Sequence, residues 1–447
     1  MAEKIVILGN GFDLRHFLPT KYNHLITILR EIGNYNFSDS EVSFSDLFNE
    51  SFKQKDEFFY NGILNYYDVQ NFKFNSDKLK SIQDRLIKNS WFKYLKTVED
   101  SKIETWIDFE TEINRVLKII SIYFESFNRG DFQKIIYSFL IDRSKFYTNN
   151  NNINNYFHNK LQHNILVNFN LFKVVGGGSY SILNTNFILS IDDEIQYFRE
   201  KEFFDSIYNS LEEFIGIFND YLIFIVNKFY DNFLENKKED FIKSEDHFLF
   251  DNVSKIYSFN YTDTYIKLFK DFDDYNNKLR KVRRTGFFRG VDFLHGKSIE
   301  NWGNKLEELE IVLGVDEIEN SLKDDKLFQF TKYFQKLHKN TDYLFLDNVI
   351  KQFEKPMTKD EHNYVFYFWG HSLDISDKDY INDVFKIIKL RENNKIIVFY
   401  HSISAKAELL KNLLAVIQDK NIIEDLMKTK RLQFLESTPE NLFNELA

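Results

Sequence analysis

Residues that could bind a ligand or transfer a proton follow six short apolar segments of the chain. They are Gly9-Asn10-Gly11 with Asp13, Asn260, His295, Gly314, Gly370-His371-Ser372 with Asp377, and His401-Ser402. Amide and hydroxyl groups hydrogen-bond sugars, imidazole accepts protons near neutral pH, and glycine lets a backbone approach a bulky ligand. The grouping therefore predicts a ligand pocket with acid–base chemistry.

Glycine usage supports this prediction. The chain has only 15 glycines, and five of them lie in these groups or directly beside them: Gly9, Gly11, Gly296, Gly314 and Gly370. Turns between strands and helices also favour Gly and Asn for structural reasons. Each position alone therefore also has a purely structural interpretation, and the argument rests on the set.

Composition excludes several other chemistries. The chain has no cysteine, so disulfides, thiolate zinc sites and a cysteine nucleophile are excluded. The histidines show no metal-binding spacing, so we expect no metal. A net charge of −10 disfavours a protein that coats nucleic acid. No segment approaches 18 apolar residues, and the apolar run at 5–8 is too short for a signal peptide. We therefore expect a cytoplasmic protein without membrane contact.

Alternating strand and helix patterns are expected to position the site. The predicted strands are Lys4–Leu8, Lys255–Phe259, Asp292–Leu294, Ile311–Leu313, Tyr364–Trp369, Lys395–Tyr400 and Leu432–Leu435. The predicted helices are Tyr22–Ile32, Thr264–Asp271, Leu327–His338, Lys378–Leu390, Ala405–Gln418 and Ile422–Lys430. This order predicts an α/β fold, with a parallel sheet and helices on both faces. Ligands bind beyond the carboxyl ends of such strands.

A long helical region interrupts this alternation. Between residues 36 and 249, apolar residues recur at three- and four-residue spacing, and Phe203 to Phe233 is one extended amphipathic segment. We therefore predict that residues 1–35 and 250–447 form one domain, with residues 36–249 as a mainly α-helical insertion after the first βα unit. The first strand should pair with the strand that ends at Phe259.

Individual residues retain two interpretations. Gly9-x-Gly11 lacks the third glycine of a dinucleotide fingerprint, and Asp13 could cap a turn or hold a ribose hydroxyl. Asn260 could be a turn residue or a ligand-facing amide. His295 could be a general base or a buried structural histidine.

The sequence Trp106-x-Asp108-x-Glu110 lies near a predicted helix start. Acidic residues are favoured there in any case. The segment is therefore either a simple helix start with an acidic face or a part of the site.

Several motifs together resemble the AbiH phage abortive-infection family. They are Ile7-Leu8-Gly9-Asn10-Gly11-Phe12-Asp13-Leu14, Leu18-Pro19-Thr20-x-Tyr22, Trp106-Ile107-Asp108-Phe109-Glu110, Phe259-Asn260-Tyr261-Thr262, His295-Gly296, Leu313-Gly314-Val315-Asp316, Phe330-x-Lys332 and Gly370-His371-Ser372-Leu373-x-x-x-Asp377. They span residues 7 to 377 in the family's order. Arg15-His16-Phe17 departs from the small residues and glycine usual there. The resemblance implies an anti-phage role, with a trigger from the phage or a partner defence protein. A toxic enzyme must stay silent until infection, so we expect control through either a closed pocket or a homo-oligomer.

The motif order also resembles sirtuin-like NAD-consuming defence domains. That resemblance implies a Rossmann-like fold and NAD as the substrate. Asn260 would contact the nicotinamide ribose and His295 would act as the base. Contacts to the rest of the nucleotide would come from Gly9, Asn10, Gly11, Asp13, Gly314, Gly370, Ser372 and Asp377, with Gly370, Ser372 and Asp377 on the adenosine side. Cleaving the nicotinamide–ribose bond requires neither metal nor thiol.

Two alternatives remain open at this stage. In the first, the same pocket binds a nucleotide without catalysis and the insertion reports binding to a partner. In the second, Ser372 is the nucleophile of a hydrolase, with Asp379 and His401 as its partners. Position 374, where that motif has glycine, is Asp.

Overall fold

The computed structural model describes residues 2–98, 106–126, 141–142, 160–175, 180–191, 194–244, 246, 249–270, 289–318, 325–339, 341, 345–346, 349 and 363–447. The strands, in chain order, are β1 (Glu3–Leu8), β2 (Glu41–Ser43), β3 (Lys73–Asn75), β4 (Ile141–Asp142), β5 (Phe172–Val175), β6 (Tyr180–Leu183), β7 (Ile188–Ile191), β8 (Glu194–Phe198), β9 (Val253–Ser258), β10 (Val291–Phe293), β11 (Tyr364–Trp369), β12 (Lys395–Tyr400) and β13 (Leu432–Glu436).

The α-helices lie between these strands and after the last of them. They are α1 (Asn10–Arg15), α2 (Tyr22–Asn34), α3 (Phe44–Leu47), α4 (Glu50–Lys55), α5 (Glu57–Tyr66), α6 (Ser76–Leu86), α7 (Ser90–Thr97), α8 (Trp106–Ser126), α9 (Lys160–Asn168), α10 (Glu200–Tyr221), α11 (Asn227–Asn236), α12 (Lys238–Lys243), α13 (Lys332–Lys339), α14 (Lys378–Leu390), α15 (Ile403–Ile417), α16 (Lys420–Lys428) and α17 (Pro439–Leu446). A π-helical segment, Leu222–Val226, joins α10 to α11.

Six parallel strands form the central sheet of the described residues, in the order β10-β9-β1-β11-β12-β13. If these strands are numbered by their order in the chain, the sheet order is 3-2-1-4-5-6. This is the order of doubly wound dinucleotide-binding folds, and it reverses between β1 and β11. The predicted α/β Rossmann-like fold is confirmed, and so is the pairing of β1 with the strand that leads to Phe259.

Apolar residues cover both faces of the sheet. Val6 and Leu8 of β1 belong to a core that continues into the helical region, while Ile5 and Ile7 belong to a second core packed against α14, α15 and α16. A strand buried on both faces reads as a continuous apolar run, because successive side chains point in opposite directions. This explains why β1, β11 and β12 were predictable almost to the residue.

The structure corrects several predicted elements. Ile311–Leu313 is not a strand: the Gln335 side chain bonds both the N–H and the C=O of Leu313, and the Val312 N–H donates to the carbonyl of His295. These partners replace a neighbouring strand.

Two predicted helices also differ from expectation. The predicted helix Leu327–His338 is a 3₁₀ helix, Asp325–Phe330, followed by α13. The predicted helix Thr264–Asp271 contains the π-helical segment Ile266–Lys270, and residue 271 lies outside the described residues. The described part of the insertion is mainly helical and also contains short antiparallel strands. In these, β2 pairs with β3, β6 pairs with both β4 and β5, and β7 pairs with β8. Among the described helices, none combines the length and apolar character that a bilayer span requires.

Candidate functional site

A pocket of about 330 Å³ lies beyond the carboxyl ends of β1, β9 and β11. The loop after β1 contributes Gly9 and Asn10, the segment after β9 contributes Phe259 and Tyr261, and the loop after β11 contributes residues 370–372 together with Ser376 and Asp377. His295 enters from the segment after β10. The pocket therefore occupies the point where the strand order reverses, which is where open α/β sheets bind their ligands.

The glycines beside the pocket allow two loops to cross. A Cβ on Gly9 would lie 2.5 Å from the Cα of His371, and a Cβ on Gly11 would lie 2.7 Å from the Cα of Gly370. Gly370 has φ +70°, and a Cβ on this residue would lie 2.3 Å from the backbone nitrogen of Phe12. The backbone-on-backbone packing of these loops is thus the structural reason for the glycines, and Gly9 and Gly370 also line the pocket while Gly11 does not. Gly314 also lies off the pocket lining, against the carbonyl of Phe330.

Two buried histidines face one carboxylate in the pocket. Asp377 Oδ1 lies 3.6 Å from His295 Nε2, and Asp377 Oδ2 lies 3.5 Å from His371 Nε2. The described residues provide no hydrogen-bond partner for either Nε2 atom or for Asp377 Oδ1. Buried polar atoms without a hydrogen-bond partner are rare in folded proteins. Their convergence on one space indicates a place for a polar ligand or a water.

The surroundings of both histidines favour the uncharged imidazole. Burial lowers the pKa of His295 well below its usual value, and the positive charges of Lys336 and Lys332 lower it further. Burial also lowers the pKa of His371 against the attraction of Asp377. A neutral imidazole has a free lone pair, so His295 can accept a proton.

Packing fixes the orientation of both rings. The Nδ1 atom of His371 accepts a hydrogen bond from the Leu373 N–H at 2.9 Å, which turns Nε2 toward Asp377. The ring of Phe259 contacts both imidazoles edge-on, with ring centroids 5.1 Å from His295 and 4.4 Å from His371. The two imidazole rings therefore have little rotational freedom.

Asp13 and Asn260 form a second cluster that does not line the pocket. Asp13 is 1% exposed, and its carboxyl group accepts hydrogen bonds from Thr262 at 2.5 Å, Thr264 at 2.7 Å and the Asn260 amide at 3.0 Å. Burial raises the pKa of Asp13 to about 7, against these donors. Asp13 is therefore part of the buried interior, and Asn260 connects it to the neighbouring pocket-lining residues Phe259 and Tyr261. Asn260 Oδ1 has no partner among the described residues.

The helical insertion closes one side of the pocket. Trp106 and Glu110 lie one turn apart on α8, and both line it. Lys332, from the start of α13, also lines it and lies 2.6 Å from Glu110 Oε1. Burial raises the pKa of Glu110 to about 7 against the attraction of Lys332. Burial lowers the pKa of Lys332, but Glu110 and Asp377 overcome this effect and the net pKa is raised.

Helix α13 is polar on its inner side. Lys332, Gln335 and Lys336 are buried, whereas Tyr333 is 71% exposed and Leu337 is 45% exposed. Lys336 lies over the ring of Tyr380, which in turn contacts Phe259. Lys332 lines the pocket, where the nearby carboxylates of Glu110, Asp377 and Asp316 compensate its charge.

The geometry does not support Ser372 as a nucleophile. Ser372 lines the pocket, but in the described part of the chain no histidine is hydrogen-bonded to its hydroxyl. Both nitrogens of the adjacent His371 are directed elsewhere, toward Leu373 N and Asp377. Asp379 and His401, the expected partners, are exposed and do not line the pocket. In the described residues, no group of three or more His, Cys, Asp or Glu side chains is arranged to hold a metal.

The sequence alone gives no specific role to His371, Glu110, Trp106 or Lys332. Each lies within a motif that was noticed, namely Gly370-His371-Ser372, Trp106-x-Asp108-x-Glu110 and Phe330-x-Lys332. Asp377 was expected on the adenosine side of a ligand, and the structure places it beside His295. For Glu110 and Lys332, a charged residue inside a motif is the available signal.

The chain matches a known family over most of its length. The family model described as "Bacteriophage abortive infection AbiH" matches residues 5–401. No curated protein and no solved structure matches the chain. The matched range begins in β1 and ends just after β12, so it includes every pocket residue named above.

Proposed function

Because the chain belongs to the AbiH family of bacteriophage abortive-infection proteins, we propose that it stops phage propagation by hydrolysing the nicotinamide–ribose bond of NAD. The observation that carries this proposal is the cluster of His295, His371 and Asp377, with unpaired atoms, at the point where the order of a doubly wound sheet reverses. Folds with this strand order bind dinucleotides at that point.

The size of the pocket suggests which end of NAD enters. At about 330 Å³ it lies at the small end of the range for ligand pockets. We propose that the nicotinamide riboside end is enclosed, while the adenosine end extends past Gly9, Asn10 and Ser372.

The proposed reaction uses His295 as a general base. A water oxygen attacks C1′ of the ribose, the bond from C1′ to the nicotinamide nitrogen breaks, and its electron pair neutralises the pyridinium ring. His295 accepts the proton released by the water, and Asp377 stabilises the resulting imidazolium. The products are nicotinamide and ADP-ribose, and the proton later returns to solvent.

Asn260 receives a different role from the one its motif implied. Its amide is held by Asp13, and the residue does not line the pocket. We propose that it is a positioning residue, which sets the segment carrying Phe259 and Tyr261.

Purified protein incubated with NAD, with and without an extract of phage-infected cells, tests the proposal. We expect nicotinamide release, and His295→Ala should reduce it by roughly 10²–10⁴-fold, the usual contribution of a general base. His401→Ala is the matched control, because His401 is exposed and away from the pocket. If NAD remains intact in both conditions although the protein binds it, the chain is a nucleotide sensor that acts through a partner.

A further inference from the structure

Glu110 is a pocket carboxylate that comes from outside the sheet. It lies on α8 of the helical insertion, one turn after Trp106. The Trp106 indole N–H donates to the carbonyl of Thr20 at 3.2 Å, and its ring packs edge-on against Tyr22 and Tyr261. These contacts fix α8 against segments that follow β1 and β9. The pocket is therefore a composite of sheet and insertion.

The partner of Glu110 is a buried lysine. Lys332 is 4% exposed, and its Nζ atom lies 2.6 Å from Glu110 Oε1. A buried ion pair contributes little net stability, because removing both charges from water costs about as much as their attraction returns. A contribution to folding stability is therefore a weak explanation for the pair. Its position in the wall of the pocket points to a role in ligand binding instead.

The pair leaves the carboxylate suited to sugar hydroxyls. Lys332 favours the ionised form of Glu110 against the effect of burial, and this form accepts hydrogen bonds through two oxygens, of which Lys332 engages Oε1. The other oxygen can receive hydroxyl donors. Tyr261 links this wall to the proposed base, because its ring lies 5.6 Å from that of Trp106 and 6.3 Å from that of His295.

The geometry points to Glu110 as the residue that holds the 2′- and 3′-hydroxyls of the ribose on the nicotinamide side, with Lys332 as a positioning residue for its carboxylate. This inference rests on the proposed function, since it takes NAD as the ligand. It gives the insertion a direct part in the site. Hydrogen bonds to the 2-hydroxyl strengthen as positive charge develops on a sugar ring, so the contact would also favour the transition state.

The test compares ADP-ribose with ADP by isothermal titration calorimetry. ADP-ribose carries the second ribose and ADP lacks it, so the ratio of their affinities isolates the subsite. A charge-assisted hydrogen bond corresponds to a preference of about 10- to 100-fold. The unmodified chain should show this preference for ADP-ribose, and Glu110→Gln should lose it while its affinity for ADP stays the same. Asp108→Asn, on the same helix but off the pocket lining, should retain the preference.

A second variant guards against misfolding. Glu110→Gln leaves Lys332 buried without its carboxylate, so the double variant Glu110→Gln/Lys332→Met removes both charges and should also bind the two ligands equally. Circular dichroism and the unfolding temperature check that each variant is folded. Equal binding of the two ligands by the unmodified chain, or an equal loss for both in folded Glu110→Gln, would overturn the inference. If the preference depends on Glu110 but no nicotinamide is released, the subsite stands and the hydrolysis proposal fails.

Discussion

Replacing Asp13 with Asn should remove a pH dependence from the stability of the protein. Asp13 is fully buried below the pocket, and burial raises its pKa from 3.8 to about 7 even though Thr262, Thr264 and Asn260 donate to it. In the unfolded chain the same carboxyl group titrates near its ordinary pKa. The protonated form is therefore favoured in the folded state, and its stabilising effect is lost as pH rises from about 4 to about 7.

The size of the effect follows from the shift. Each pKa unit corresponds to about 1.4 kcal/mol, so a shift of about three units makes folding about 4 kcal/mol less favourable above pH 7 than below pH 4. About 1.4 kcal/mol of this loss occurs between pH 6 and pH 8. Other titrating groups, such as Glu110, are present in both proteins, so their contributions cancel in the difference.

Urea unfolding of the unmodified protein and of Asp13→Asn at pH 6, 7 and 8 measures this difference. The variant should gain about 1.4 kcal/mol relative to the unmodified protein over that interval, whatever its absolute stability. Parallel curves for the two proteins would refute the reasoning, because they would mean that Asp13 is ionised at pH 6 in the folded state.

Three further predictions concern packing and the alternative chemistry. Gly370→Ala should lower the unfolding temperature strongly, because its Cβ would lie 2.3 Å from Phe12 N. Gly303→Ala is the control: with φ +64° and nothing within 4 Å of its Cβ, it should cost only about 1–2 kcal/mol of backbone strain. Equal losses of stability in the two variants would contradict the packing argument. Gln335→Leu should cost about 1–3 kcal/mol in urea unfolding, since the N–H and C=O of Leu313 lose their partners, and an unchanged midpoint would disprove this. Ser372→Ala should leave nicotinamide release nearly unchanged, and abolished release would favour the hydrolase.

Much of the sheet could be predicted from the sequence. The strands β1, β11 and β12 are apolar runs buried on both faces, and each ends at a Gly or His that begins a loop. Since parallel strands place their carboxyl ends at one edge, the strand assignments predict that Gly9, Asn260, His295 and Gly370 share a pocket. Gly9, His295 and Gly370 line the pocket, whereas Asn260 does not.

The remainder depended on tertiary contacts. Glu110 and Lys332 are 222 positions apart, and no local pattern indicates that they form an ion pair. Ile311–Leu313 has the composition of a strand, but Gln335 satisfies part of its backbone. Apolar residues on one side of helix α13 would be expected to face the interior. In the structure Lys332, Gln335 and Lys336 are buried instead, and carboxylates around the pocket compensate the charge of Lys332. The glycines were expected to admit a ligand, whereas their tightest contacts are with the opposite loop.

Cellular NAD during infection tests the central claim most directly. Bacteria that express the unmodified chain, or His295→Ala at the same level, are infected with a phage that the unmodified chain restricts, and NAD and ADP-ribose are measured by mass spectrometry. The account predicts that NAD falls and ADP-ribose rises only with the unmodified chain, and that His295→Ala loses protection. Protection by the unmodified chain with NAD unchanged would contradict it.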